Sequence, residues 1–120
     1  MEIIALVMVA FVAIEHLGFL YLEMFLWTKP IGMRVFGNNQ EEAEKTKVLA
    51  ANQGLYNGFL AVGLIWGLLH SSPEISQQVL LFFLACVVVA GVYGGVTAKR
   101  SILYIQAVPA VVALIMVLIK

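Results

Sequence analysis

The sequence predicts an all-α integral membrane four-helix bundle with both termini outside. Three observations predict it. The chain is 62% hydrophobic and 12% charged, whereas soluble domains average roughly half apolar and a quarter charged. Its mean hydropathy is +1.00. Its apolar residues fall into four runs, each close to the ~20 residues that cross ~30 Å of hydrocarbon.

The first predicted helix covers 3–27 and ends before Pro30, because the residue before proline avoids helical geometry. The chain opens Met-Glu without a basic leader, and this run has the length of a span, so a retained helix is expected rather than a cleaved signal. The second helix covers 40–69. Its polar start, "QEEAEKTK", projects from the membrane, and its lipid-spanning part begins near Val48. Asn38 or Asn39 is the expected N-cap, with acidic residues in the first turn. The third helix covers 75–98, with Ser72 before Pro73 as its start signal. The fourth covers 101–119, with Pro109 and Gln106 suggesting a local kink that has a polar lining. No repeat, low-complexity stretch or composition shift divides the chain, so one domain over 1–120 is expected.

Basic residues set the expected orientation. Lys29, Arg34, Lys45 and Lys47 lie between the first two spans, and Lys99 and Arg100 lie between the last two. The remaining turn has none, and Lys120 alone falls on the other side. The positive-inside rule then places both basic segments in the cytosol. The expected location is a bacterial inner membrane, crossed several times.

The formal net charge is +0 and no basic stretch is present, which gives no reason to expect nucleic acid. Cys86 is the one cysteine and lies in an apolar run, so it reads as an inert core thiol. No dense cluster with metal-ligand spacing occurs. His16 and Glu23 are two turns apart, about 10.5 Å along a helix, too far to share one ion easily.

Polar residues inside the spans are the candidate functional groups, since ionisable side chains in lipid are costly and functional by default. Depth is counted at 1.5 Å per residue from a cytosolic edge taken at Met24, Val48, Ala98 and Ser101. Glu23 then lies ~2 Å in, Asn52 and Gln53 ~6–8 Å, Tyr93 and Gln106 ~8 Å, Asn57 ~13 Å, and Glu15 with His16 ~12–14 Å. His16, Leu20, Glu23 and Trp27 form one helical stripe, and Gln53 with Asn57 another. One of Glu15 and His16 is expected to reach an amide such as Asn57. Glu23 and Trp27 read as border residues, with Glu23 reaching the cytosol and Trp27 anchoring at the interface. The convergence in depth predicts a polar cavity open to the cytosol. Glycines at 54, 58, 63, 67, 91, 94 and 95 mark tight helix contacts, read as packing within one bundle rather than a dimer motif.

The second helix, "VLAANQGLYNGFLAVGLIWGLL", carries a resemblance. It resembles the second helix of the MAPEG superfamily, the membrane-associated proteins in eicosanoid and glutathione metabolism, and is most similar to its five-lipoxygenase-activating-protein branch. The whole chain resembles a bacterial family of small membrane proteins known as domain-of-unknown-function family 1304. The resemblance implies a homotrimer of four-helix subunits with cytosol-facing pockets between them. In glutathione-using members this helix carries Arg, then Asn, then Glu. Asn52 matches the Asn, Lys47 stands near the basic position, and Leu55 replaces the Glu. Arg100 is the one candidate for a further catalytic Arg. The resemblance implies glutathione as a cofactor through Asn52, Lys47 and Arg100, with Leu55 departing from the pattern.

The sequence-based expectation is a membrane protein that holds a lipid or apolar small molecule in this cavity, with thiol or glutathione-related chemistry left open. Glu15, His16, Glu23, Asn52, Gln53, Asn57, Tyr93, Gln106 and Arg100 are the candidate ligand-binding residues. Two other readings stand beside it: a proton-coupled small transporter or efflux protein using Glu15, and a structural membrane subunit.

Overall fold

The computed structural model describes residues 2–119. They form five helices: α1 (Ile3–Met24), α2 (Pro30–Phe36), α3 (Gln40–Leu69), α4 (Pro73–Thr97) and α5 (Arg100–Ile119). Among the described residues there is no strand. Four of these helices, all except α2, are long and apolar enough to cross a membrane. The all-α membrane-type fold expected from composition is therefore the fold observed.

The boundaries follow local chemistry. Asn39 caps α3: its Oδ1 accepts from the Glu42 N–H at 2.8 Å, and Glu42 Oε1 accepts from the Asn39 N–H at 3.1 Å. This reciprocal pair satisfies two donors that a helix start leaves unpaired. Ser72 caps α4, its Oγ accepting from the Ile75 N–H at 3.3 Å, with Pro73 in the first helical position. Within α5, Leu103–Ala107 winds as a wider π turn just before Pro109.

One helix differs from the sequence-based expectation. α1 stops at Met24 rather than continuing to 27, and α2 forms within the segment expected to be a loop. Pro30 ends nothing there; it begins α2, where its missing N–H costs no hydrogen bond. α2 closes on Gly37, whose φ of 73° is left-handed, and the Asn38 N–H bonds the Met33 carbonyl at 3.0 Å.

The chain divides into two compact units, residues 1–14 with 60–120, and residues 15–59. In the first, Ala5, Val9, Val12 and Ala13 of α1 pack with Leu64 of α3, Leu80, Leu84 and Val87 of α4, and Ala110, Ala113 and Val117 of α5. Spacings of three and four keep each set on one helix face. Gly91 of α4 is buried where a Cβ would meet the backbone N of Ala107 at 2.7 Å, so α4 and α5 touch almost backbone to backbone. The α3–α4 corner is tied by Ser76, whose Oγ donates to the Gly67 carbonyl at 2.6 Å. That carbonyl belongs to the last turn of α3, where helix acceptors lack internal partners.

In the second unit, α1 and α3 approach through small residues. A Cβ on Gly54 would lie 3.1 Å from Glu23 Cβ and 3.2 Å from the Leu20 carbonyl oxygen. α2 is held by Trp27, whose indole N–H donates to Thr46 Oγ1 at 3.0 Å and whose ring lies 4.8 Å from that of Phe36. Gly32 is buried against the Leu26 carbonyl.

Candidate functional site

The buried face of α1 in the second unit carries His16 and Glu23, which are 0% and 4% exposed. Seven residues separate them, so they project from nearly the same side. Facing Glu23, α3 presents Gly54, Asn57 and Gly58, all buried. Asn57 Nδ2 donates to Glu23 Oε1 at 2.6 Å. A carboxylate within a span needs such a donor, because lipid offers none.

This contact corrects two expectations. Glu23 does not reach outward at the border; it is buried and bonded to Asn57. And Asn57, the amide that Glu15 or His16 was expected to reach, donates to Glu23. The depth count separates Glu23 and Asn57 by about 11 Å, whereas the structure brings their side chains into contact. Hydropathy edges at Met24 and Val48 do not fix how two helices slide along each other. The glycines do: Gly54 and Gly58 admit Leu20, Glu23 and Met24 of α1, which sets the register.

Glu15 lies one residue before His16 and is 12% exposed along its side chain. Its Oε1 is shielded from solvent and has no hydrogen-bond partner. His16 Nδ1 stands 4.0 Å from it, beyond hydrogen-bond range. The His16 ring meets Phe19 edge-on, with centroids 5.2 Å apart. The site therefore has a satisfied pair, Glu23–Asn57, and an unsatisfied acceptor, Glu15, along one stretch of α1.

Asn52 and Gln53 are exposed on α3, so Gln53 does not share the buried stripe of Asn57. Tyr93, Arg100 and Gln106 belong to the first unit. Tyr93 is 71% exposed, Arg100 is exposed, and Gln106 is half-buried. Trp27 is held by Thr46 and Phe36. Among the described residues, no three His, Cys, Asp or Glu side chains are grouped to hold a metal ion. Cys86 is half-buried on α4.

What this arrangement can do is accept a hydrogen bond. A carboxyl oxygen without a donor in an apolar setting carries a desolvation cost that a hydroxyl or amine group would offset.

Comparison with known proteins places the chain in a family. Residues 10–118 match the family described as "Protein of unknown function (DUF1304)". The chain is also similar to the "Uncharacterized protein YpaA" of Lactococcus lactis subsp. lactis (strain IL1403). The two are 32% identical over 117 residues, covering 96% of this chain and 97% of that one. No solved structure matches. The helical, membrane-type chain described above belongs to the DUF1304 family.

Proposed function

We propose that this protein binds a lipid-like or other apolar small molecule within the membrane, through a polar group bonded to Glu15. One observation carries the reading: Glu15 Oε1 is shielded and lacks a hydrogen-bond partner, inside a helix long and apolar enough to span a bilayer. Glu15 is nine residues before Met24, about 14 Å along the helix axis. At that depth the natural donor is the hydroxyl or amine of an amphiphile whose apolar part lies among the side chains. The positive-inside distribution orients this end of α1 toward the cytosol, and the resemblance carried by residues 48–69 of α3 supports a trimer. Native mass spectrometry of the protein released from a gentle detergent tests both. The wild type retains a small molecule on a trimer, and Glu15→Leu loses that mass. Equal bound mass in both proteins, or none in the wild type, overturns the binding reading.

The same carboxyl supports a second reading, proton-coupled transport, because intramembrane carboxylates commonly mark proton paths. Proteoliposomes with an imposed pH gradient separate the two. Substrate movement that stops in Glu15→Gln favours transport. A retained ligand without movement favours binding alone.

A further inference from the structure

The segment after α1 holds a feature that the proposed site does not use. α2 (Pro30–Phe36) begins six residues after the end of a candidate span, the stretch in which a spanning chain passes from hydrocarbon to headgroups. One face of it is covered: Gly32 is buried, and Met33 and Phe36 are half-buried. The opposite face is uncovered and includes Pro30, Ile31, Arg34 and Val35, with Ile31 49% and Val35 52% exposed. Ile31 and Val35 are four apart and share one side, with Arg34 beside them. Lys29, the N-cap, is also exposed.

Charge identifies what this face meets. The cations of α3 are neutralised locally: Lys45 pairs with Glu41 and Lys47 with Glu44, each at 3.2 Å. Glu42 is engaged in the Asn39 cap. Among the described residues, Lys29 and Arg34 take part in no ion pair. Two unpaired cations beside two exposed aliphatic side chains match the boundary of an anionic bilayer. The aliphatic groups enter the acyl region, and the long basic side chains reach back to phosphate.

We infer that α2 is an interfacial docking element that seats Ile31 and Val35 in the bilayer surface and gathers anionic phospholipid through Lys29 and Arg34. Trp27 and Gly32 hold the helix in place for this role, through the Thr46 bond and the close contact with Leu26. The inference is independent of the ligand at Glu15, since none of its residues is shared.

Spin labels in a Cys86→Ser background test the seating. The full chain is reconstituted in phosphatidylcholine vesicles with and without phosphatidylglycerol. Labels at positions 31 and 35 are expected to be relaxed by oxygen and shielded from a nickel chelate, while a label at 44 behaves oppositely. A fluorophore at 35 tests the charge, using nitroxide-bearing phosphatidylglycerol against equally labelled phosphatidylcholine. Each cation near an anionic surface is worth roughly fivefold in local enrichment. Preferential quenching by the anionic lipid is therefore expected, and it should fall several-fold in Lys29→Gln/Arg34→Gln. Nickel access at 31 and 35 equal to that at 44 overturns the inference. So does dipolar broadening at 35, which would mean a second copy covers the face, and so does quenching without headgroup preference.

Discussion

Asn57 on α3 donates a 2.6 Å hydrogen bond to Glu23 on α1, joining two long helices through buried polar atoms. Neither group has water to fall back on inside a span. The pair should therefore behave as a unit. Asn57→Leu leaves the carboxyl without its donor and is expected to cost about 1–3 kcal/mol. Glu23→Leu/Asn57→Leu removes both groups and should cost less than the sum of the single changes. Thermal unfolding in detergent across the four proteins reads the coupling, and strictly additive losses would show that the bond contributes nothing.

Glu15 calls for the opposite response. Its shielded oxygen has no partner, so the ligand-free protein carries that cost. Replacing it with leucine should raise the midpoint of unfolding of delipidated protein, by about 1–3 kcal/mol in stability. The same change removes the proposed binding. A stability gain together with a lost ligand is what a group kept for function would give. A destabilised Glu15→Leu protein would instead mark Glu15 as structural.

The contact between α4 and α5 depends on the missing side chain of Gly91. An added Cβ would meet Ala107 N, Cβ and Cα at 2.7–2.9 Å, and backbone cannot rotate away as a side chain can. Gly91→Ala should lose about 1–3 kcal/mol. Gly18 is the internal control, because nothing lies within 4 Å of a Cβ placed there. Gly18→Ala should be neutral or gain up to ~1 kcal/mol from helix propensity. Circular dichroism melts of the two variants check the contrast, and equal behaviour would refute the close approach.

The Asn39–Glu42 capping box lies on the polar start of α3 and can be read by hydrogen exchange. Asn39→Ala should cost about 0.5–2 kcal/mol locally. Amide exchange should quicken at Glu42 and Ala43 while the apolar half of α3 is unchanged. Unaltered protection at those two amides would mean that the cap does not hold this end.

Much of the fold is legible in the sequence because the bilayer imposes a length and a polarity on each span. The bounds of α3 and the caps at Asn39 and Ser72 are local signals, and they read correctly. α2 is not legible, because seven residues of mixed character give no periodicity and Pro30 reads equally as an end or a beginning. In the candidate site, His16, Glu23 and Asn57 stand out in the sequence as polar groups within apolar runs. Their partners do not, because pairing depends on helix register, and register is set by where Gly54 lets two backbones meet. Hydropathy contains no such information. Asn52 and Gln53 show the same gap from the other side: polar residues within a span, yet exposed on α3.

The π turn at Leu103–Ala107 bears on how this chain can change in length. Its Val108 N–H bonds the Leu103 carbonyl, five residues back, so the turn holds more chain than a regular helical turn does. Deleting one residue there would let the turn tighten into ordinary helix and keep the rest of α5 in phase. Deleting one residue between Ala110 and Val117 would swing their shared stripe by about 100° and turn buried side chains outward. Among relatives, single-residue insertions and deletions in this last helix should therefore gather at the wide turn and be absent from the stripe.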